Sequence, residues 1–331
     1  MIYTNPVDFA PYFTKHLAAA QHPLILTHLN PDGDAIGSLL GMWHAMRLLG
    51  KPAIAMVMPP IPEYTAWLPG ADQMQRYRRG DTLPSCDLVI MVDTATFERA
   101  GPIAQEHGAA LRALPLVIID HHATNDGAGD LDLIQPTAAS TCELLYQLFL
   151  AMGLSIDADL ATCLLLGLTT DTLSYQTSAT SGDSLRAGAG LLDAGAAHRM
   201  VVDKIYNALP TSAALLVGQT LSGLRYEDGV AWATITRAMI EQTGAPDDAV
   251  DEVIQVMRRI GEAQALVLFK ENRDGTTKIS LRSRPPLNVA AFAQRWGGGG
   301  HTQAAGATVP RPYQQAEAEV VPLLKDLVRQ R

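Results

Sequence analysis

The sequence predicts an α/β fold: a mostly parallel sheet flanked by helices, then a linker helix, then a smaller α/β domain with a mixed sheet. Two observations predict the parallel sheet. Apolar runs recur at 23–27, 53–58, 88–92 and 116–119, and such short runs are typical of strands buried on both faces. Stretches with helical periodicity separate these runs, and strands that alternate with helices form βαβ units, whose strands run parallel.

The first βαβ unit shows this pattern most plainly. Between the first two apolar runs, the apolar residues of 35–49 fall on one helical face, and Gly50 follows as a typical helix stop. Further helices are predicted at 140–153 and 157–168. In an open parallel sheet the ligand site lies beyond the carboxyl ends of the strands, so that edge is where functional residues are expected.

The second part of the chain has a different pattern. Strands are predicted at 230–236, 265–270 and 278–283, and helices at 249–259 and 313–328. A length of 331 residues favours two domains. Because the composition shifts to small residues near residue 181, we predict a first domain over 1–190, a linker over 191–212 and a second domain over 213–331.

Composition and charge exclude several classes of protein. Hydrophobic residues make up 47% and charged residues 18%, which excludes a disordered chain. The net charge of −9 is uneven: residues 1–190 hold 19 acidic and 9 basic side chains, and the rest hold 15 and 16. The first domain is so acidic that it lacks the broad basic surface with which proteins bind long duplex nucleic acids. The apolar runs are too short to cross a membrane, and the first residues do not resemble a secretory signal, so we expect a cytoplasmic protein.

Acidic residues and histidines follow the predicted elements directly. The strand at 23–27 leads into His28-Leu-Asn-Pro-Asp32-Gly-Asp34, and the strand at 88–92 leads into Asp93. A parallel sheet gathers such ends at one crevice.

The same holds further along the chain. The strand at 116–119 leads into Asp120-His121-His122, and the helix at 157–168 precedes Asp171. Carboxylates and imidazoles together suit manganese, magnesium or cobalt, whereas the absence of a Cys-x-x-Cys pair disfavours structural zinc. Two such ions can activate water for attack on a phosphate ester.

Each of these residues alone has a plainer explanation. An aspartate after a strand often caps a helix or closes a turn, and Asp120-His121-His122 alone could be a solvated turn. The glycines at 297–300 could form a flexible turn, or they could let backbone N–H groups approach a phosphate beside Arg282 and His301. The order and placement of the whole set favour a metal site. Walker-type loops, His-Glu-x-x-His and Gly-x-Ser-x-Gly do not occur.

Taken together, these motifs resemble those of the DHH phosphoesterase superfamily. The motifs at 28–34, 93, 120–122 and 171 match its four N-terminal motifs in order. Ser-Leu-Arg-Ser at 280–283 and Gly-Gly-Gly-His at 298–301 resemble its associated C-terminal domain. The compact length is similar to that of the NrnA-type bifunctional oligoribonucleases and pAp phosphatases. One segment departs from the family pattern, since Thr-Asp-Thr-Gly-x-Phe is replaced by Thr-Asp-Thr-Leu-Ser-Tyr at 170–175.

The resemblance implies a role for each matching residue. His28 and Asp32 would hold one metal ion, and Asp93 would bridge it to a second. Asp34, His121 and Asp171 would hold that second ion. Asp120 would orient a neighbouring histidine, and His122 would contact the scissile phosphate and act as an acid. The implied substrate-binding residues, reaching across an interdomain cleft, are Arg282, Ser283, Gly298, Gly299, Gly300 and His301.

The function implied is hydrolysis of short RNA and dinucleotides to mononucleotides, and of 3′-phosphoadenosine-5′-phosphate (pAp) to AMP, with two manganese ions. Magnesium or cobalt are alternatives. A phosphodiesterase for linear or cyclic dinucleotides is an alternative enzyme, and a nucleotide-binding regulatory protein without turnover is an alternative from another class. The expected partners are these small substrates and, as an option, a second copy of the chain; long duplex nucleic acid and membranes are not expected partners.

Overall fold

The computed structural model describes residues 1–125, 127–247 and 249–330. The chain forms two compact units, the first spanning Met1–Ala208 and the second beginning at Leu209. The first unit includes a helix at His198–Tyr206, inside the range predicted as linker. The domain bounds drawn from the sequence stay a prediction. Within the described residues, none of the helices is both long and apolar enough to cross a membrane.

The first unit contains the parallel sheet that the sequence predicts. Its seven strands have the order β1-β7-β6-β5-β2-β3-β4, and every neighbouring pair is parallel. Both faces are covered, because Ile25 packs into one core while Leu24 and Leu26 pack into another. The strands are β1 (Ile2–Tyr3), β2 (Pro23–Leu26), β3 (Ile54–Val57), β4 (Gln75–Arg76), β5 (Leu88–Val92), β6 (Leu116–Asp120) and β7 (Leu131–Ile134).

Seven helices accompany this sheet. The three helices predicted from the sequence are present, and the third runs three residues further than predicted, so that Asp171 is its last residue. Short 3₁₀ turns lie at Glu63–Thr65, Ala71–Gln73 and Phe97–Ala100. The helices are α1 (Pro6–Ala19), α2 (Gly33–Leu48), α3 (Pro102–Arg112), α4 (Thr141–Ala151), α5 (Ala158–Asp171), α6 (Gly182–Asp193) and α7 (His198–Tyr206).

Helices α2 and α5 pack closely in opposite directions. Glycines at 33, 37 and 41 of α2 line the contact, and a Cβ on Gly37 would lie 2.6 Å from the carbonyl oxygen of Cys163 and 3.1 Å from the backbone nitrogen of Gly167. The close approach brings the N-terminal end of α2, which carries Asp34, to the C-terminal end of α5, which carries Asp171.

We expect Gly37→Ala to lower the free energy of unfolding by about 2–3 kcal/mol, because backbone atoms of α5 cannot move aside for the methyl group. Gly218→Ala is the matched control: that glycine lies within α8 (Thr211–Ser222) of the second unit, with no atom within 4 Å of its added Cβ. This control should be neutral or stabilising by up to about 1 kcal/mol. Thermal unfolding in the presence of a chelator measures both. Equal shifts for the two variants would contradict the close-packing explanation.

Asp132 makes the stability of the first unit depend on pH. It lies on β7 with 1% of its surface exposed; burial raises its pKa to about 6, although the α-amino group and the N–H of Gly129 pull the pKa down. A raised carboxyl pKa means that the folded state loses stability as the pH rises from about 4 to about 6. Asp132→Asn should therefore stabilise the protein by about 1–3 kcal/mol at pH 7 and by almost nothing below pH 4. Denaturant unfolding of both proteins across pH 3.5–7.5 tests this, and a destabilised variant at pH 7 would contradict it.

The second unit holds a six-stranded mixed sheet of order β12-β13-β11-β10-β9-β8, in which the β9–β10 pair alone is parallel. Residues of β10 pack alternately into two cores, with Phe269 on one side and Leu268 on the other. The strands are β8 (Arg225–Glu227), β9 (Val230–Ile235), β10 (Ala265–Glu271), β11 (Thr277–Ser283), β12 (Gly299–His301) and β13 (Ala304–Val309). The helices are α8, α9 (Arg237–Thr243), α10 (Ala249–Met257), α11 (Val289–Ala293) and α12 (Tyr313–Arg329).

Candidate metal centre

Three strands and two helix ends of the first unit bring the predicted ligands together. His28 follows β2, Asp93 follows β5 and His121 follows β6, and these three strands are neighbours in the sheet. Asp34 enters from the first turn of α2, and Asp171 from the last residue of α5. The strand ends predicted from the sequence thus meet at one edge.

One group of possible ligands contains His28, Asp32 and Asp93. The Nε2 atom of His28 lies 3.9 Å from Oδ1 of Asp32 and 3.7 Å from Oδ2 of Asp93. Asp32 is also the N-cap of α2, where its Oδ1 accepts a hydrogen bond from the N–H of Ala35 at 3.0 Å. Asp32 therefore has the helix-capping role that aspartates often have. Its carboxylate nevertheless lies near His28 and Asp93.

A second group contains Asp34, His121 and Asp171. Nε2 of His121 lies 3.9 Å from Oδ2 of Asp34, 3.3 Å from Oδ2 of Asp171 and 3.6 Å from Oδ1 of Asp93. Asp93 thus presents Oδ2 to His28 and Oδ1 to His121. It stands between the two groups and could serve both.

The tautomers of the two imidazoles suit a cation. Nδ1 of His28 donates to the carbonyl oxygen of Leu29 at 2.9 Å, and Nδ1 of His121 donates to the carbonyl oxygen of Ala138 at 3.3 Å. Since carbonyl oxygens only accept, the neutral rings present the lone pair of Nε2 to the carboxylates. Lone pairs and carboxylates face each other favourably when a cation lies between them, and metal-binding histidines are typically held in this way.

The raised pKa values of the carboxyl groups also favour a cation site. Burial, followed by repulsion from neighbouring aspartates, raises the pKa of Asp34 and of Asp93, and raises the pKa of Asp171 to about 9. Like charges gathered in a buried place disfavour ionisation unless positive charge is supplied. A donor set of hard oxygens with two imidazoles fits divalent cations such as manganese or magnesium.

The N-terminal end of α4 positions two of these carboxylates. The N–H groups of Thr141 and Cys142 donate to the two oxygens of Asp34 at 2.6 and 3.0 Å, and the hydroxyl of Thr141 donates to Oδ1 of Asp93 at 2.9 Å. Thr141 is not among the site residues predicted from the sequence. Its role depends on α4 meeting α2 and β5, which no local pattern indicates.

Asp120 and His122 form a second hydrogen-bonded system beside the cluster. Asp120 is fully buried and its Oδ1 accepts from Nδ1 of His122 at 2.8 Å. Burial raises the pKa of Asp120, but hydrogen bonds from His122 and from Asn125 lower it by more, so it lies below its usual value. The hydrogen bond to Asp120, opposed by burial, raises the pKa of His122. The charged form of this ring is thereby favoured.

The segment after Asp171 departs from the family pattern where backbone geometry matters. Leu173, Ser174 and Tyr175 have φ values of 48°, 56° and 64°, in the left-handed region that favours glycine. The family's glycine at position 173 suits this conformation, and leucine adopts it here at a cost in strain.

In the second unit, three strands align two of the predicted substrate-binding residues. Arg282 on β11 pairs with Ala304 on β13, which pairs with His301 on β12, so the three share one row and one face of the sheet. The hydroxyl of Ser283 donates to the carbonyl oxygen of Leu287. Gly299 and Gly300 belong to the edge strand β12, and a Cβ on Gly298 would lie 2.2 Å from the carbonyl oxygen of Gly306. Residues 299–301 therefore form an exposed edge strand, in which Gly298 and Gly300 lie close to the backbone of β13.

Comparison with known proteins connects this geometry to a family. Residues 23–168 match the N-terminal domain of the DHH family and residues 229–330 match the DHHA1 domain. The chain is 32% identical to the bifunctional oligoribonuclease and PAP phosphatase NrnA of Thermus thermophilus, over 88% of this chain and 86% of that protein. The chain belongs to the DHH family. The residues matched to the DHH domain include His28, Asp93 and the Asp120-His121-His122 motif, while Asp171 lies just beyond them.

Two further proteins are similar to the chain, one in sequence and one in fold. It is 26% identical to the bifunctional oligoribonuclease and PAP phosphatase NrnA of Bacillus subtilis, over 85% of this chain and 87% of that protein. An exopolyphosphatase-related protein from Bacteroides fragilis has the same fold, with a TM-score of 0.84, 24% identity and coverage of 97% of this chain and 98% of that one. DHH-family membership and the α/β fold predicted from the sequence are confirmed.

Proposed function

We propose that this DHH protein is a metal-dependent phosphoesterase that hydrolyses short oligonucleotides to mononucleotides and pAp to AMP. The observation that carries the proposal is the position of Asp93, whose two carboxylate oxygens face two separate groups of possible ligands. Similarity over most of the chain to two proteins named as oligoribonuclease and PAP phosphatase supports the choice of substrates.

Two manganese ions are the proposed cofactors. His28 and Asp32 would hold one ion, the second group would hold the other, and Asp93 would bind both. When bound, two such ions supply an acidified water as nucleophile and neutralise charge on the phosphoryl oxygens. Magnesium and cobalt suit the same donor set.

His122 is the proposed acid. Asp120 holds the proton on Nδ1, which fixes the ring and leaves Nε2 to face the substrate. Because its pKa is raised, the imidazolium form is favoured, and this form carries a second proton on Nε2. That N–H can bind a phosphoryl oxygen and then pass its proton to the oxygen of the leaving nucleotide.

The second unit supplies the proposed substrate-binding residues. Arg282 is half-buried, and its guanidinium bonds to the carbonyl oxygen of Leu281. Burial, with the nearby Arg258, lowers its pKa, so an anion placed against it replaces lost solvation. We propose that Arg282 and His301, with Ser283 and the glycines at 298–300, bind the other phosphate or the terminal nucleotide of the substrate.

The test is release of mononucleotide from the dinucleotide pApA by the purified protein with manganese. Cyclic di-AMP, pAp, a long single-stranded RNA and an Asp93→Ala variant are run beside it. Fast, manganese-dependent cleavage of pApA and pAp, with the long strand spared, is expected. Preferential cleavage of cyclic di-AMP would replace this proposal with a cyclic dinucleotide phosphodiesterase. Nucleotide binding without any hydrolysis would favour a regulatory binding protein.

A further inference from the structure

Arg99 lies in the short turn Phe97–Ala100, six residues after Asp93. Its carbonyl oxygen accepts a hydrogen bond from the N–H of Leu29 at 2.7 Å, and Leu29 is the residue after His28. Gly101, which follows the turn, lies against the same leucine, because a Cβ built on it would be 3.1 Å from Cβ of Leu29. The turn is therefore fixed beside the first group of possible ligands.

The start of the same loop is fixed to the other side of the cluster. Ala95, at a φ of 53°, donates its N–H to Oδ2 of Asp120 at 2.8 Å. Asp120 is also the carboxylate that holds His122. The loop that carries Arg99 is therefore hydrogen-bonded to the loop of His28 and to the loop of His122. These two contacts fix the backbone position of Arg99.

The guanidinium of Arg99 has no partner of its own in the part of the chain that the structure describes. Within residues 1–125, 127–247 and 249–330 it makes no hydrogen bond and no ion pair. The adjacent carboxylate, Glu98, pairs with Arg112 at 3.0 Å instead. Arg99 is exposed, so its guanidinium is accessible to a ligand from solution.

The loop that carries Arg99 is anchored beside the cluster, yet among the described residues its guanidinium pairs with none of the aspartates. A guanidinium offers two parallel N–H groups that match two oxygens of one phosphate. With the possible ligands holding cations of their own, the anion that remains for Arg99 is one that arrives with the substrate.

We propose that Arg99 binds a phosphate group of the substrate, next to His122 and within the first unit itself. The ligand class is a phosphate monoester or diester of a nucleotide. The choice of nucleotide rests on the proposed phosphoesterase function; the phosphate contact does not, and it is distinct from the role proposed for Arg282 in the second unit.

The experiment measures binding and turnover separately. AMP is titrated into the manganese-loaded protein by calorimetry, with adenosine as the phosphate-free probe, and KM and kcat are measured with pApA. The variants are Arg99→Gln, Arg99→Lys and the control Arg47→Gln. Arg47 lies in the last turn of α2, at the opposite end of that helix from Asp34, and it pairs with Asp157 on the surface.

Arg99→Gln is expected to weaken AMP binding and raise KM for pApA about tenfold or more. Adenosine binding and kcat should change less than threefold. Arg99→Lys should recover part of the lost AMP affinity, because lysine keeps the positive charge but lacks the paired N–H groups of the guanidinium. The control should stay within twofold of the wild-type protein. The thermal midpoint should not move, since the side chain has no partner to lose.

An AMP affinity that is unchanged in Arg99→Gln would overturn the proposal. So would an equal loss of AMP and adenosine binding, because it would indicate a general disturbance of the site. If the wild-type protein binds AMP but leaves pApA intact, the proposed function fails, while the AMP titrations still decide the role of Arg99. If the wild-type protein binds no AMP, both proposals fail together.

Discussion

Asp93→Asn is expected to abolish turnover and yet make the metal-free protein more stable. Turnover of pApA should fall at least about 10³-fold, since one substitution weakens both groups of ligands. Asparagine is a better replacement than alanine, because Asp93 has a φ of 56°, and asparagine and aspartate adopt this left-handed conformation at a lower cost than alanine does. Its Oδ1 also preserves the hydrogen bond from the hydroxyl of Thr141.

The gain in stability follows from charge. Asp93 is 2% exposed, and burial together with Asp32 raises its pKa, so ionising it at neutral pH costs the metal-free fold free energy. A neutral amide removes that cost. Each manganese ion bound should stabilise the wild-type protein by about 2.7 kcal/mol when free manganese is a hundredfold above the dissociation constant of its site, and manganese should stabilise the variant far less.

Thermal unfolding with chelator and with manganese, metal content by mass spectrometry, and pApA turnover are the measurements. Asp32→Asn is the matched control, because asparagine caps a helix as well as aspartate does and this residue belongs to one group of ligands alone. Its bound metal should fall from two ions towards one and its turnover should fall less. Near-normal turnover in Asp93→Asn would end the assignment of Asp93 as the shared ligand.

Asp120→Asn should instead cost both stability and activity while sparing the metal. The two oxygens of Asp120 accept five hydrogen bonds, from the N–H groups of Ala95, His121 and His122 and from the side chains of His122 and Asn125. An amide cannot accept on both sides, so two donors at least lose their partner. We expect a loss of about 3–5 kcal/mol in the free energy of unfolding at pH 7.

The pH dependence of that loss identifies its cause. The pKa of Asp120 is lowered in the folded protein, so its stabilising contribution is present above the unfolded value near 4 and disappears as the pH falls through the lower folded value. Wild-type and variant stabilities should therefore converge in acid. A difference that stays constant down to pH 2 would contradict the role of the ionised carboxylate.

The activity loss has a separate origin. An amide N–H facing Nδ1 of His122 turns that atom into an acceptor and moves the ring proton to Nε2, so the imidazolium is no longer stabilised. Turnover should fall about 10²–10⁴-fold with manganese content unchanged. Asn125→Ala, which removes one donor to Asp120 and leaves His122 in place, is the control and should retain at least a tenth of the activity. Loss of bound metal in Asp120→Asn would show that Asp120 acts on the ligands instead.

The parts of the fold and site that depend on local pattern were predictable from sequence. The apolar runs of β2, β5 and β6 are buried along their whole length, and this is why they were recognisable and why the residues after them could be placed at one edge. Two other strands gave no such signal: β1 has two residues, and the buried Asp132 interrupts the apolar run of β7. Helix α1 was not predicted either.

Contacts between elements that lie far apart along the chain could not be predicted from the sequence. Thr141 touches Asp93 only because α4 begins beside the start of α2 and the end of β5, 48 positions away along the chain from that aspartate. Arg99 is one of 25 basic residues, and nothing in its neighbours along the chain indicates that its loop is anchored beside the cluster. The assignment of each ligand to a metal ion stays a prediction, for which the structure provides the proximity.

The order of strands in the first sheet also determines when the first unit can finish folding during translation. β1, the first strand to leave the ribosome, pairs with β7, the last of the seven, so this edge of the sheet waits for the whole unit. The cluster draws on residues from 28 to 171, and at ribosomal rates those 143 residues take roughly 7–30 s to emerge. Until α5 has been translated, the nascent chain carries early aspartates without their later partners, so complete loading with metal follows translation of this unit.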